Sequence, residues 1–437
     1  VGQVAGGRSG TVCVGVVVPR TGRLSQLGDP LSFVAESLAP ALAGGGPGGG
    51  GRRNVRLLCR DSRSDPETAR RVVRELARDE RVAVVVTMAG TKVLPAVADA
   101  CEEAGLPCLS TTFPWQAFVY GRGGDPRRPF AWTYHFAWGL DDIADVFAEM
   151  WERLGPSRRV GCLWNDDLQG RLLRHPEHGF VPRALARGHV LTDLGGYSEP
   201  AGDFTPHLDT LGSSGAEIVT SAATGRDLAL FAGQAAARGL LPRLMTCSRW
   251  LAYPHLTPGA HDASGTGDAP GARDATDAAG APGLPDAGGE PGAADWAALA
   301  RARVATLLYW SPRHPYRSSL DGTTAASLAE AYERRTGSQW LQPLGLAHAL
   351  LEVALHALGT VADPADRRAV ADAIAATRLS TIAGVLDWQA GPTPNVALVP
   401  LIGGQWRPGR HHPGDLAVVT NTALPEIPIE AELATAF

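Results

Sequence analysis

Short, almost wholly apolar runs alternate along this chain with longer stretches whose apolar positions recur every three to four residues. TVCVGVVVP (11–19) reads as a strand buried on both faces, followed by the turn RTG and an amphipathic segment from Leu27 to Leu42. NVRLLCRDS (54–62) is a second strand. DPETARRVVRELARDE (65–80) is a helix with Asp65 as N-cap and Pro66 in the first helical position, where a missing N–H costs nothing. RVAVVVTMAG (81–90) is a third strand leading into a helix from Thr91 that stops near Gly105, and LPCLSTT (106–112) is a fourth strand. Buried strands separated by helices of this length predict parallel pairing through right-handed crossovers, the α/β class.

The pattern then restarts. A helix LDDIADVFAEMWERLG (140–155) leads to the strand RRVGCLWNDD (158–167), a further helix, the strand HVLTDLGGY (189–197), the short helix DFTPHLDTLG (203–212), the strand AEIVTSAA (216–223), the helix GRDLALFAGQAAARG (225–239) and the strand PRLMTCS (242–248). VATLLYWSP (304–312) is one more strand, the helices at 321–337 and 341–359 follow, and short strands finish the chain. At the junction of the two series lies RPFAWTYHFAWG (128–139), with Phe130, Trp132, Tyr134, Phe136 and Trp138 at strict period two. Two readings stay open for it: one buried strand face, or a strand that passes from ordinary core near Phe130 to a ligand cleft near Phe136 and Trp138. AGGGPGGGG (43–51) is a flexible loop, and 255–295 is too rich in Gly, Pro, Ala and Asp to bury a core, so a disordered surface insertion is expected there.

Composition narrows the function classes. A chain of 437 residues with 44% hydrophobic and 19% charged residues can bury about two domain cores. A net charge of -5 provides no electrostatic footprint for nucleic acid or an anionic membrane. The chain holds no apolar run of about eighteen residues, so no transmembrane helix is expected, and its start at Val1 is compatible with a processed or trimmed export form. Its six cysteines lack metal-ligand spacing and are too few for a disulfide scaffold. Cys101 and Cys108 bracket a helix end and a strand start; pairing in an oxidising compartment and two ordinary buried thiols both remain open.

Catalytic signatures are missing. The lone lysine, Lys92, sits in TMAGTKV, which lacks the glycine that begins a phosphate-binding loop. The glycine run at 43–51 precedes a strand instead of following one, so it cannot aim a helix N-terminus at a pyrophosphate. No G-x-S-x-G elbow occurs, and Pro176 breaks the helical presentation of His175 and His178. Neither a cofactor nor a metal is expected. Carboxylates in RSDPE and WNDD are accounted for by capping.

The order of these elements, with PFAWTYHFAWGLDDIADVFAEMWERLGPSRRVGCLWNDDLQG and GGYSEPAGDFTPHLDTLGSSGAEIVTSAATGRDLALFAGQAAARGL in the second series, resembles the type I periplasmic solute-binding proteins. Within them it is similar to the leucine/isoleucine/valine-binding branch that serves ABC importers. VGVVVPRTGRLSQLGD, CRDSRSDPETARRVVRELARDERVAVVV and PAVADACEEAGLPCLST match the family's first lobe. The resemblance implies a two-lobe clamshell, each lobe a parallel sheet flanked by helices, with hinge-crossing strands and one small molecule enclosed between the lobes. It implies lobes of 1–137 with about 318–382, and 138–317 with about 383–437.

Carried over residue by residue, the resemblance places the first lobe's ligand contacts at Leu27 in the opening loop, at Ala89, Gly90 and Thr91, and at Ser110, Thr111 and Thr112. Thr91 has a physical case of its own, since a hydroxyl residue at a helix start offers N–H groups and partial positive charge to a carboxylate; plain N-capping explains it equally well. In the second lobe the matching positions are Gln169, Ala223, Thr224 and Ser248. Amino-acid-binding members carry an acid where Ser248 stands, and the sequence neighbours Cys247, Arg249 and Trp250 supply none, which speaks against an ordinary α-amino acid. Arg249 suits an anion, and Trp115, Trp138, Trp164, Trp250 and Trp310 suit a flat or apolar body. The resemblance therefore implies a monomeric, extracytoplasmic, non-catalytic protein that delivers an aromatic or apolar acid to the membrane subunits of an ABC importer. A ligand sensor of the same fold and an α/β enzyme with unrecognised catalytic groups are the alternatives.

Overall fold

The structure, a computed structural model, describes residues 11–22, 24–44, 53–79, 81–156, 158–249, 292–409, 412 and 414–436. Its elements begin with β1 (Val12–Val18), α1 (Ser25–Ala43), β2 (Val55–Asp61), α2 (Pro66–Ala77), β3 (Val82–Met88), α3 (Val93–Ala104), β4 (Cys108–Thr111), α4 (Trp115–Val119) and β5 (Thr133–Ala137). There follow α5 (Leu140–Glu152), β6 (Arg159–Leu163), α6 (Leu168–Leu173), α7 (Phe180–Ala186), β7 (Val190–Asp193), α8 (Thr205–Ser214), β8 (Ile218–Ser221), α9 (Gly225–Ala237) and β9 (Leu244–Cys247). The remainder is α10 (Ala293–Arg301), β10 (Val304–Leu308), α11 (Ala325–Thr336), α12 (Pro343–Thr360), α13 (Arg367–Ala375), β11 (Arg378–Thr381), β12 (Gly384–Asp387), β13 (Val396–Leu398), β14 (Ile402–Pro408) and β15 (Gly414–Thr420).

These elements form two α/β units. The first comprises residues up to 142, 308–401 and 422–427; the second comprises 143–307, 402–421 and 428–437. Boundaries fall differently from those read in the sequence, since 138–142, 308–317, 383–401 and 422–427 lie with the first unit. The reason is pairing and packing: β13 lies parallel to β5, and the Trp310 indole donates to the Ile382 carbonyl at 3.2 Å inside the first core. The insertion expected at 255–295 lies outside the described residues as far as 291; its last residues instead begin α10, with Asp295 accepting from the Gly292 N–H at 2.8 Å.

In the first unit the strand order is β13-β5-β4-β3-β1-β2, every pair parallel. Central β3, VAVVVTM, is buried at all seven positions, whereas edge strand β2 is mostly half-buried or exposed, as helices on both faces of a parallel sheet require. Asp65 caps α2 as expected, accepting from the Thr68 N–H at 2.7 Å. Gly345 lets α12 close on Trp310, because a Cβ there would stand 2.2 Å from the indole. Glu352, buried in α12, accepts the N–H groups of Ser319 at 2.5 Å and Ile382 at 3.0 Å and faces His348 at 3.3 Å, so one carboxylate ties three segments together.

The second unit orders its strands β15-β14-β10-β9-β8-β6-β7, parallel from β10 to β7, with β14 and β15 antiparallel. Its core gathers Phe204, Leu208, Phe231, Met245 and Trp296 around Leu163 and Val219.

Two imidazoles in the first unit are buried and held neutral. Burial drives the His135 pKa down from 6.5 to about 3 and that of His314 to about 4. Both folded-state values lie below the unfolded one, so the stability they allow is complete above pH 6.5 and is lost as pH falls toward them. Each can cost up to about 1.4 kcal/mol per pH unit in that window. Urea unfolding at pH 7, 6 and 5 is expected to show this decline. His135→Gln should shrink the slope by about one proton's worth; an unchanged slope would show that His135 is not a proton-excluding site.

Candidate functional site

Parallel pairing puts the carboxyl ends of all the parallel strands of a sheet on one edge, and the polar loops that follow them share that edge. In the second unit β6 ends in Trp164, Asn165, Asp166 and Asp167, where Asp167 accepts from the Gly170 N–H at 3.0 Å to start α6. The loop after β7 brings Tyr197, whose carbonyl accepts from the Asp166 N–H at 2.9 Å, and then Glu199. After β8 come Ala222, Ala223 and Thr224, the cap of α9. After β9 come Ser248, whose N–H donates to Ser221 at 3.0 Å, and Arg249.

Arg249 is the electrostatic centre of this edge. Its Nη1 lies 2.7 Å from each Glu199 carboxylate oxygen, 3.8 Å from Asp167 and 3.4 Å from the Ala222 carbonyl. Burial works against its charge, but Glu199 and Asp167 outweigh that and raise its pKa. One guanidinium against two carboxylates leaves an excess of one negative charge. Acids therefore do stand beside Arg249, although its sequence neighbours supply none. Glu199 comes from a loop fifty residues away, so Arg249 is already paired and is not an open anion anchor.

Around this cluster buried polar atoms go unpaired. Among the described residues both amide atoms of Asn165, the Ser248 Oγ, the Tyr197 hydroxyl and Asp227 Oδ2 have no hydrogen-bond partner. Burial pushes the Tyr197 pKa up, and the nearby Glu199 and Asp227 add to the effect. Burial likewise raises Asp227, whose other oxygen accepts from Ala201 at 3.2 Å and Arg226 at 2.8 Å. An unsatisfied buried polar group costs about 1–3 kcal/mol, so the edge favours anything that supplies the missing partners.

The corresponding edge of the first unit is built from the loops after β3, β4 and β5. Gly90, Thr91 and Lys92 precede α3 and donate no backbone hydrogen bond among the described residues. Thr112 has φ 96°, a left-handed conformation that costs a β-branched residue about 1–3 kcal/mol. Its hydroxyl donates to the Thr111 carbonyl and lies 3.3 Å from the Ala89 carbonyl, and the Trp115 N–H donates to the Trp138 carbonyl at 2.9 Å, so the loops after β4 and β5 are bonded and the loop after β3 lies against them. Trp138 stacks on Tyr309 with centroids 4.4 Å apart and planes 23° apart.

Several residues singled out in the sequence stand in different roles. Leu27 lies in the first turn of α1, 1% exposed, because the chain turns straight into the helix and Gly28 presses on the Pro19 carbonyl, where a Cβ would stand 2.1 Å away. Thr91 does not cap α3, whose cap position is Lys92. The hydroxyls of Ser110 and Thr111 are turned into the sheet, toward His135 at 2.9 Å and the Phe136 carbonyl at 2.6 Å. Phe136 packs edge-to-face on Trp388 inside the core. Trp164 is buried edge-to-face on Phe180 at 5.5 Å, and Trp310 is wholly buried against Trp340. Gln169 is buried at the start of α6, Ala223 is buried, and Thr224 spends its hydroxyl on the Asp227 N–H at 3.2 Å. Trp250 lies outside the described residues. Cys101 and Cys108 are free thiols lying side by side, and burial, then the neighbouring thiol, raises the Cys101 pKa. Asn165, Asp167, Tyr197 and Glu199 were not singled out in the sequence. WNDD flags two of them by its polar run at a strand end, whereas nothing local marks Tyr197 or Glu199.

A family model described as periplasmic binding protein matches residues 11–396. No curated protein matches the chain. Among solved structures the chain is similar to the leucine-binding protein LivK of Thermotoga maritima, at 15% identity over 94% of this chain and 99% of that one, with a TM-score of 0.65. It is similar to an ABC transporter substrate-binding protein of Sphaerobacter thermophilus at 18% identity over 94% and 97%, with a TM-score of 0.66. An ABC transporter solute-binding protein of R. palustris in complex with benzoate aligns at 17% identity over 95% and 99%, with a TM-score of 0.62. All three are binding proteins by name.

The charge cluster makes a direct prediction. Arg249→Met is expected to destabilise the second unit by about 1–3 kcal/mol, because two half-buried carboxylates lose the cation between them. Glu199→Gln should cost less, since Asp167 stays beside Arg249. The double variant should recover part of the loss in urea unfolding, and strictly additive losses would show that the pair is not coupled.

Proposed function

The chain belongs to the periplasmic binding protein family, and from that premise we propose that it captures a small solute at the carboxyl-end edges of its sheets and delivers it to an ABC importer. The observation that carries this reading is the set of buried, unpaired polar atoms on Asn165, Tyr197 and Ser248, grouped on loops that share one sheet edge. Their cost is removed when a ligand supplies the partners. The family is extracytoplasmic, and among the described residues no helix is long and apolar enough to cross a membrane. The protein acts outside the cytoplasm as a monomer, in contact with the importer's membrane subunits.

The solute is an aromatic or bulky apolar acid. Benzoate in the R. palustris protein is one such acid, held on a similar fold. The excess negative charge around Arg249 disfavours a carboxylate there, whereas the N–H groups of Gly90 and Thr91 at the start of α3 favour one. The half-buried Trp115, beside the buried stack of Trp138 on Tyr309, favours a flat apolar body in the first unit.

Native mass spectrometry of protein purified without added ligand, followed by calorimetry with benzoate and with leucine, tests the reading. Benzoate is expected to bind more tightly than leucine. Ser248→Ala and Asn165→Ala should each weaken binding by about 1 kcal/mol, roughly a net hydrogen bond. Tight leucine binding overturns the ligand class, and a protein that retains no solute and binds neither compound overturns solute capture.

A further inference from the structure

We infer that His135 is the positioning residue of the first unit's binding edge, holding the loop after β4 in the strained conformation that the ligand meets; this rests on the solute-binding reading above. His135 lies in the middle of β5, is 0% exposed, and is paired in register with Ser110 of β4. Its Nε2 is 2.9 Å from the Phe113 carbonyl, and its Nδ1 is 2.9 Å from the Ser110 Oγ. A carbonyl can only accept, so Nε2 carries the proton and Nδ1 is left as an acceptor, nearer to the Ser110 hydroxyl at 2.9 Å than the competing Tyr134 carbonyl at 3.2 Å. One ring therefore joins a residue within β4 to the carbonyl just beyond its end.

Between those two anchors sits Thr112 at φ 96°. A β-branched residue keeps that backbone only where its surroundings over-determine it. On its amino side the Thr111 hydroxyl donates to the Phe136 carbonyl at 2.6 Å; on its carboxyl side His135 is, among the described residues, the one side chain bonded to the Phe113 backbone. The ring itself has little freedom. Phe118 stacks on it at 4.6 Å and 8°, Phe113 lies 5.3 Å away, and the backbone N–H of His135 fixes the strand by donating to the Asn395 carbonyl at 2.8 Å. An apolar side chain of similar size would fill the space yet leave the Phe113 carbonyl without a donor, releasing Thr112. The consequence reaches the ligand edge through the Thr112 hydroxyl beside Ala89 and the Trp115 N–H on Trp138.

Hydrogen-exchange mass spectrometry on His135→Leu and His135→Gln tests this. In His135→Leu the amides of 112–116 should exchange at least about tenfold faster while β1 and β3 keep their protection, because the change is a local opening. Gln carries an amide N–H that reaches for the same carbonyl and should restore much of the protection. Unchanged exchange at 112–116, or equal acceleration throughout the first unit, overturns the inference. Should His135→Leu fail to fold, the nitrogen NMR spectrum of the wild-type imidazole decides: a neutral Nε2–H tautomer at pH 6 is expected, and an Nδ1–H or charged ring overturns it. Neither measurement uses a ligand, so the outcome is separable from that of the solute-binding reading.

Discussion

Parallel pairing of buried strands is the constraint on which the rest of this structure depends. In β1, β3 and β4 almost every side chain is buried, so the strands themselves can present nothing to solvent. The polar groups available for binding must then lie where strands end, and parallel register gathers those ends on one edge of each sheet. The apolar runs and the ligand-competent loops are thus two results of one arrangement.

What the edges hold differs between the units. The first offers backbone N–H groups before α3, a strained Thr112, and the stacked Trp138 and Tyr309. The second offers charge: Arg249 between Glu199 and Asp167, with unpaired polar atoms on Asn165, Ser248 and Tyr197. Each edge carries a cost in the absence of a partner, strain in one and unsatisfied polarity in the other. Such costs persist in folded proteins when a cooperative core supports them, and both edges stand on sheets whose central strands are fully buried.

Buried histidine shows how the core and the edge are linked. His135 is surrounded by Phe113, Phe118 and the sheet, so burial keeps it neutral, with a pKa near 3. Neutrality makes it one donor and one acceptor, the pair of roles that the Phe113 carbonyl and the Ser110 hydroxyl require. Arg122 nearby is buried too, bonded to Asp99 at 2.6 Å and 3.9 Å from the Phe130 ring centroid, which accounts for the outer end of the aromatic run.

The sequence by itself determined the α/β class, the two series of strands and helices and the kinship, because period and order are local properties that survive at low identity. It also located the strand ends, and hence Gly90, Thr112 and Ser248, since a loop that follows an apolar run is visible in one dimension. It missed the short α4, α10 and α13, whose apolar patterns are too brief to separate from loops. Only the tertiary structure decided what those loops do. Glu199 meets Arg249 across fifty residues of chain, and Trp310 is drawn into the core by Ile382, seventy-two residues on. Charge pairing and burial are set by distances in space, and separation along the chain carries no information about them.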